Sequence, residues 1–255
     1  SSNASARTVS RTTTAMLVHI FRACGRTPGY LVGGEINDLP RSAAAGSQKV
    51  LITEVDESDG TQALMRSECG VIINIEDDHS WSVGGRKALE KCFRDFAYGA
   101  DRLFCWDTPD TRRLLAEHRD VRFIDIANQP PGLSLRVPGD YNRTNATIAT
   151  AVAADFGIAV PDAVTALQSF AGVKRRMTEH FRSPDSLTTV VEDYAHHPTE
   201  LRAAFQALRE AYPGSRLTAV FQPHRFERVK RYQKQFSEIL ASADDVVVFR
   251  PFSAW

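Results

Sequence analysis

The sequence predicts an α/β fold with a mainly parallel sheet flanked by helices, arranged in two domains. Short apolar runs alternate with amphipathic segments almost throughout the 255 residues, a pattern typical of alternating strands and helices. The apolar runs are continuous, as in strands that are buried on both faces. The alternation restarts near residues 171–172, so we expect a first domain at 1–170 and a second at 171–255.

The first domain is predicted from five helical and five strand patterns. Apolar residues at helical spacing predict helices at 12–24, 86–96, 108–117, 142–156 and 162–170. Gly25 and Gly157 close the first and fourth of these, because glycine is favoured just after a helix end. Compact apolar runs predict strands at 50–52, 71–73 and 103–106, with weaker candidates at 121–124 and 133–137.

The second domain repeats the alternation. Strands are predicted at 187–191, 217–221 and 246–249, and helices at 199–211 and 228–240. In parallel sheets of this kind, ligands bind at the carboxyl ends of the strands. Most polar clusters of this sequence follow a predicted strand, so they are candidates for functional sites.

The composition excludes several classes of partner. Lys plus Arg and Asp plus Glu number 31 each, so we expect no nucleic-acid binding. No apolar run approaches the roughly 20 residues that span a bilayer, and no signal sequence is visible, so we expect a cytoplasmic protein without membrane insertion. The four cysteines contain no CxxC pair. Buried free thiols are favoured over disulfides or zinc ligation.

Two acidic segments follow successive strand candidates. Segment 54–59 (EVDESD) places four carboxylates behind the first strand, and segment 74–79 (NIEDDH) adds His79 behind the second. Such a density of charge is costly without a cation, and carboxylate oxygens at a strand end suit Mg²⁺ beside a nucleotide. A solvated acidic loop and a structural histidine are the alternatives.

Segment 192–200 (EDYAHHPTE) combines a helix start with unexplained polar residues. Pro198, Thr199 and Glu200 fit the first turn of the next helix. Asp193 and the two adjacent histidines have no such local explanation. We expect Asp193 to orient one imidazole through a hydrogen bond, as acid–base and phosphate sites often require.

Two basic clusters are candidate anion sites. In segment 221–228 (FQPHRFER), Arg225 and Arg228 are spaced to reach one face and to hold a carboxylate. Cations at a helix start oppose the helix dipole, and a bound anion would resolve that conflict. The run Lys174-Arg175-Arg176 between the domains either holds phosphate or is a solvated linker.

These segments, in this order, resemble the Mur ligases. The resemblance runs from about residue 11 to 252 and includes GDYNRTN at 139–145 and GVKRR at 172–176. FQPHRF favours the branch that attaches L-alanine to UDP-N-acetylmuramate. The resemblance implies a central ATP-binding domain followed by part of a Rossmann-like C-terminal domain. It also implies ATP and Mg²⁺ as cofactors, and an acyl phosphate formed on the muramoyl carboxylate during peptidoglycan precursor synthesis.

The resemblance also implies roles for single residues. The residues similar to the family's metal site are Glu54, His79 and Thr12. Those similar to its ATP contacts are Arg11, Thr12, Thr13, Tyr141, Asn142, Asn145 and Arg175. The catalytic set corresponds to Lys174, Arg176, Asp193 and His196. The amino-acid site corresponds to Tyr194, His224, Arg225 and Arg228.

The chain departs from the family pattern in three ways. The glycine-rich phosphate loop is replaced by ARTVSRTTT at 6–14, whose lack of glycine removes the usual backbone cradle. No apolar strand precedes this loop, and residues 1–5 are interpreted as an expression-tag remnant. The UDP-sugar domain is missing, so we expect a fragment that is inactive alone. Tyr141 stands where the family has a histidine.

Two other functions stay open at this point. The altered loop is consistent with a degenerate Mur-like protein that binds a nucleotide or a partner without turnover. A tripeptide-recycling muramate ligase of the same superfamily is the other alternative. The intact acidic, histidine and arginine segments favour the L-alanine-adding reaction, because polar sites are costly to bury without a function.

Overall fold

The computed structural model describes residues 4–8, 10–56, 58–75, 80–125, 127–185 and 187–252, with the backbone only at 4–8 and 81. It divides into two compact units, the first Ser1–Val137 with Asn142–Lys174 and the second Pro138–Tyr141 with Arg175–Trp255. The domain limits predicted from the sequence, 1–170 and 171–255, stay a prediction.

The first unit alternates strands and helices along the chain. Its strands are β1 (Ala4–Thr8), β2 (Gly29–Leu31), β3 (Ala43–Ala44), β4 (Val50–Glu54), β5 (Ser67–Ile72), β6 (Ala100–Trp106) and β7 (Val121–Ile124). Its helices are α1 (Arg11–Ala23), α2 (Ser80–Val83), α3 (Arg86–Tyr98), α4 (Pro109–Leu114), α5 (Asp140–Asp155), whose first two residues belong to the second unit, and α6 (Val160–Leu167). A short 3₁₀ helix lies at Thr61–Leu64.

The strands of the first unit form one seven-stranded sheet in the order β3-β2-β4-β1-β5-β6-β7. All neighbouring pairs are parallel except β2 and β3. The predicted α/β class with a mainly parallel sheet is therefore confirmed. Strand β1, which has no apolar run and was not predicted, precedes α1 and includes Ala4 and Ser5. The interpretation of residues 1–5 as a tag remnant stays a prediction.

Two apolar clusters pack in the first unit. The larger joins α1, α5 and α6 to strand residues such as Ile52 and Phe104, and the smaller joins α3 and α4 to residues such as Ile72 and Leu103. Helix α1 buries Met16, Leu17, Ile20 and Phe21, as its helical spacing predicted. Gly25 ends this helix at φ +73°, a conformation that favours glycine.

The candidate strand at 133–137 is wrong. The chain there has no strand structure and no strand partner among the described residues. Leu133, Leu135 and Val137 are partly buried and pack on the larger cluster. Their apolar side chains therefore serve to cover the core, which needs no pairing of the backbone.

The second unit contains β8 (Thr178–Arg182), β9 (Thr189–Glu192), α7 (Pro198–Ala211), β10 (Thr218–Phe221), α8 (Phe226–Leu240) and β11 (Asp245–Val248). Strands β10 and β11 are parallel, and β8 pairs with β9 in an antiparallel hairpin. Its core is a small cluster of residues from α7, α8 and β10, among them Leu201, Phe221 and Phe236.

Two composition-based expectations can be compared with the structure. All four cysteines are free, with Cys69 and Cys105 buried and Cys24 and Cys92 half-buried. Burial raises the pKa of the Cys69 and Cys105 thiols to about 12. None of the described helices has the length and apolar character needed to span a membrane.

Candidate functional site

The strand ends of the first unit bring the start of α1 and Glu54 to one edge of the sheet. Thr8, the last residue of β1, is in register with Glu54, the last residue of β4, and with Val71 of β5. Helix α1 begins at Arg11, shortly after β1, and its first turn contains no acidic residue. A strand, a short loop and a helix N-terminus in this order can receive an anionic group.

Glu54 is held by a backbone amide and lies near a guanidinium. Its Oε2 accepts a hydrogen bond from the Gly33 amide at 2.6 Å, and Arg11 Nε lies 3.9 Å from the same oxygen. A Cβ at Gly33 would come within 2.8 Å of Glu54 Oε2, and a Cβ at Gly34 within 2.8 Å of Arg11 Cδ. The two glycines therefore allow these charged side chains to lie against the loop after β2.

The threonines of α1 are turned into the protein. Thr12 is 6% exposed, and the fully buried Thr13 donates its hydroxyl hydrogen to Asn145 Oδ1 at 3.1 Å. Asn145 is itself fully buried in α5, and its Nδ2 has no hydrogen-bond partner among the described residues. Asn142 lies half-buried on the same helix. The structure thus brings Thr13 and Asn145 together, although they are far apart in sequence.

Lys174 forms an ion pair with Glu35, and its amide donates to the Glu35 carbonyl at 2.9 Å. The Lys174 hydrogen bond holds the pKa of the exposed Glu35 carboxyl below its ordinary value. His79, the other predicted metal residue, lies outside the described residues. In the described part of the chain, no three His, Cys, Asp or Glu side chains converge on a common metal position.

In the second unit, Asp193 lies after β9 and binds backbone amides. Its Oδ1 accepts from Ala195 N at 2.7 Å and its Oδ2 from Met177 N at 2.9 Å. Burial raises the pKa of Asp193 above its ordinary value, although Arg176 at 3.9 Å opposes this. The expectation that Asp193 orients an imidazole is wrong, because one of its oxygens accepts from an amide of this loop and the other from the Met177 amide, just before β8.

The carboxylate that pairs with an imidazole is Glu200, in the first turn of α7. Glu200 Oε2 lies 3.3 Å from His196 Nδ1, and Oε1 accepts from Arg176 Nη1 at 3.3 Å. Burial alone would raise the pKa of Glu200, but His196, Arg176 and backbone amides bring it below the ordinary value. His197 caps α7, with Thr199 N donating to its Nδ1 at 3.4 Å.

Tyr194 lies among the basic residues of this loop. The Arg175 guanidinium stacks on its ring at 4.5 Å, and the His196 ring meets it edge-on at 5.2 Å. Arg175 also donates to Glu192 Oε1 at 3.0 Å. Arg175 has φ 60°, which is unusual for a residue other than glycine. Tyr194 was predicted to contact the amino acid, and the contacts seen here are with Arg175 and His196.

The third polar segment surrounds the start of α8. Arg225 is the N-cap residue, with φ 65° and ψ 122°. Arg228 is 7% exposed, and its Nη1 donates to the His224 carbonyl at 3.4 Å. The His224 ring stacks on Phe252 and lies 6.4 Å from the His196 ring. Two predicted groups, around His196 and around Arg225, are therefore neighbours in the second unit.

The positive φ of Arg225 is a local strain at a predicted ligand residue. A side chain in this region of φ costs on the order of 1–3 kcal/mol and is retained where the surroundings impose it. The Arg225 amide donates to the Phe252 carbonyl at 3.0 Å, which fixes the backbone in this conformation. The strain is a reason to assign this position a function beyond starting the helix.

Comparison with known proteins adds evidence from sequence. Residues 175–254 match the model of the "Mur ligase, glutamate ligase domain" family. Over 95% of its length the chain is 34% identical to the UDP-N-acetylmuramate–L-alanine ligase of Renibacterium salmoninarum, covering 58% of that protein. It is 35% identical over the same share to the ligase of that name from Clavibacter michiganensis, covering 56%. Residues 175–254 belong to the Mur ligase family, and the chain is similar to Mur ligases over 95% of its length.

Solved Mur ligase structures share the fold. The UDP-N-acetylmuramate–alanine ligase of Thermotoga maritima has a TM-score of 0.79 at 24% identity, over 97% of this chain and 61% of that one. The MurF ligase of Thermotoga maritima, solved in complex with ADP, has a TM-score of 0.74 at 17% identity, over 96% and 66%. The chain spans 56–58% of the first two curated Mur ligase relatives.

Proposed function

We propose that this chain serves an ATP-dependent ligase that joins L-alanine to UDP-N-acetylmuramate in the cytoplasm. The observation that carries the proposal is the 34–35% identity, over 95% of the chain, to two ligases of that name. The arrangement of His196, Arg225 and Arg228 in the second unit supports it, because a ligase of this class must hold a carboxylate and manage a proton.

The first unit is proposed to bind the nucleotide phosphates and the metal. Glu54 and Thr12 offer the hard oxygen atoms that Mg²⁺ prefers, and His79 is the third candidate ligand. Arg11, Thr12 and Thr13 stand at the start of α1, where backbone amides and a positive side chain favour phosphate. When bound, Mg²⁺ would neutralise charge on the phosphate oxygens during transfer.

The buried amide of Asn145 supports a ligand-binding role for α5. An unpartnered donor at full burial is costly, and a ligand atom would relieve that cost. We therefore propose that Asn145, with Asn142 and Tyr141, contacts the base of ATP. Lys174 and Arg175 are proposed for its phosphates. The cationic charge at these positions would favour the anionic state that develops during phosphoryl transfer.

The second unit is proposed to bind the amino acid. Arg225 and Arg228 would hold the carboxylate of L-alanine, and His224 and Tyr194 would line the same site. The carboxylate of UDP-N-acetylmuramate first takes the terminal phosphate of ATP and becomes an acyl phosphate. The alanine nitrogen then forms a bond to the carbonyl carbon, and the carbon–oxygen bond to phosphate breaks. Arg176, Asp193 and His196 are proposed to act in this second step.

Phosphate release tests the proposal. The natural protein that contains this sequence is incubated with Mg-ATP, UDP-N-acetylmuramate and one of L-alanine, glycine or L-serine. We expect phosphate release that depends on all components and is fastest with L-alanine. No release with any of the three amino acids would reject the ligase reaction.

One observation favours a second function. Segment 6–14, which runs from the end of β1 into the start of α1, contains no glycine, so the close backbone approach typical of phosphate cradles is not available. A Mur-like protein that binds a nucleotide without turnover accounts for that change. Calorimetry with Mg-ATP separates the two functions, because binding without phosphate release supports the second.

A further inference from the structure

Glu200 connects more groups of the second unit than its place in a helix start requires. Oε2 accepts hydrogen bonds from the His196 amide at 3.0 Å and the His197 amide at 3.3 Å. The two amide bonds are the ordinary contribution of such a residue to a helix cap. The additional contacts, to His196 Nδ1 and Arg176 Nη1, lie outside that structural role.

The surroundings of His196 determine which ring nitrogen carries the proton. Nδ1 lies 2.9 Å from the Tyr194 carbonyl oxygen and 3.3 Å from Glu200 Oε2. Both neighbours only accept hydrogen bonds when the carboxyl is ionised. A neutral ring therefore holds its proton on Nδ1 and its lone pair on Nε2. The ring atom that can take a proton is then Nε2.

The charge of Glu200 adds to the preference for this arrangement. The Tyr194 carbonyl alone would accept the same hydrogen, but a carboxylate beside it makes the Nδ1–H form more favourable. The same carboxylate binds Arg176 through its other oxygen. One side chain thus fixes both the imidazole and the guanidinium, and neither Asp193 oxygen substitutes for it because both accept from amides.

We propose that Glu200 is a positioning residue that keeps His196 in its Nδ1–H form and holds Arg176 beside it. This inference rests on the proposed ligase function for its consequence in catalysis. When the alanine nitrogen attacks the acyl phosphate, it must lose a proton as the nitrogen–carbon bond forms. A ring with its lone pair on Nε2 can accept that proton while phosphate leaves.

Nitrogen NMR of the histidine rings tests the tautomer in the full chain. The signals of His196 are assigned by their loss in His196→Gln. We expect the Nδ1–H pattern for His196 in the unaltered protein. His180 is the internal reference, because its Nε2 lies 2.7 Å from Glu192 Oε2 and should carry the proton. An Nε2–H pattern at His196 overturns the inference, and this measurement needs no change at Glu200.

Substitution at Glu200 tests whether this carboxylate keeps His196 in its Nδ1–H form. In Glu200→Gln we expect the His196 signals to shift toward the Nε2–H form, and in Glu200→Asp to shift less, because the charge is kept. Glu179→Gln is the matched control, since that exposed carboxylate pairs with Arg182 and Tyr212. Unchanged His196 signals in a folded Glu200→Gln protein overturn the inference.

The kinetic constants kcat and KM distinguish a positioning role of Glu200 from a role in binding L-alanine. Glu200→Gln should lower kcat roughly 10- to 100-fold, with KM for L-alanine within about threefold of the original. Glu200→Asp should recover part of kcat, and Glu179→Gln should match the unaltered protein. Equal kcat in Glu200→Gln would overturn the inference. Failure of the ligase reaction in the unaltered protein would reject the proposed function, while the NMR result would still decide the tautomer.

Discussion

At the scale of single residues, two carboxylates of the second unit, Asp193 after β9 and Glu200 in the first turn of α7, have opposite pKa directions for a physical reason. Asp193 is half-buried and accepts hydrogen bonds from amides, and desolvation raises its pKa. Desolvation alone would raise the pKa of the half-buried Glu200, but electrostatic interactions with His196 and Arg176 and hydrogen bonds from backbone amides bring it below the ordinary value. Glu200 is therefore ionised in the folded protein near neutral pH. Its contacts with His196 and Arg176 require that ionised form.

The lowered pKa of Glu200 predicts a pH-dependent contribution to stability. A carboxyl whose pKa is lower in the folded state stabilises the protein above its unfolded pKa, near 4.3, and loses that contribution as pH falls through the folded pKa. Glu200→Gln should therefore cost about 1–3 kcal/mol near pH 7. Urea unfolding from neutral pH to about pH 3 should show this difference shrinking. A constant difference would contradict the assignment.

Arg225 allows stability and function to be separated. Its positive φ is tolerated by glycine, so Arg225→Gly removes the side chain together with the backbone strain. We expect unfolding free energy within about 1 kcal/mol of the original and a KM for L-alanine raised roughly tenfold or more. KM for ATP should not change. Arg202→Ala, at an exposed position of α7, is the control. Equal effects on both KM values would contradict the carboxylate role.

Part of the site could be predicted from sequence because its residues have no local structural explanation. The sequence singled out Asp193, His196 and Arg225 as candidates in this way, although the role it predicted for Asp193 is wrong. Glu200 was missed as a site residue because capping explained it fully, and its contacts with Arg176 depend on the folding of the chain. Gly33 was missed because a glycine that accommodates Glu54 leaves no polar signal in the sequence.

At the scale of elements, β1 decides how the first unit is built. It lies between β4 and β5, so its backbone is paired along both edges. The strand leads into the loop before α1 and places Thr8 beside Glu54. Its position explains why the start of α1 and the end of β4 share one edge of the sheet.

Proline at the middle of β1 tests this role. Ala6 is in register with Ile52 on one side and Cys69 on the other. Ala6→Pro removes a ladder donor in a central strand and should cost about 3 kcal/mol or more. Ala6→Gly keeps the donor and should cost about 0.5–1 kcal/mol. Urea unfolding measures both. Equal, small losses would show that residues 4–8 do not form a central strand.

Sequence patterns predicted most elements but not this one. Apolar runs predicted β4, β5 and β6, and more weakly β7, because the side chains of those strands contribute to the core. The letters ASART of β1 contain no such run, and its pairing depends on backbone groups that every residue has. The opposite error occurred at 133–137, where apolar side chains reach the core from a loop.

At the scale of the whole molecule, the two units differ in how much apolar surface they bury. The first has two apolar clusters on a seven-stranded sheet. The second has one small cluster, and its two parallel strands expose apolar residues, among them Val220 at 67%, Val247 at 48% and Val248 at 56%. Since burial of apolar surface is the main favourable term in folding, the units should differ in local stability.

Hydrogen exchange of the chain tests that difference. Amides of β1, β4 and β5 should exchange only with global unfolding of the first unit, whereas amides of β10 and β11 should open at lower free energy. A gap of at least about 1.4 kcal/mol, or tenfold in protection, is expected. As the urea concentration rises, the amides of β10 and β11 should lose protection before those of β1, β4 and β5, because β10 and β11 pack on the smaller core. Equal protection in both sets of strands would mean that the small cluster of the second unit is as stable as the large one, and area burial would then not explain the stability of this molecule.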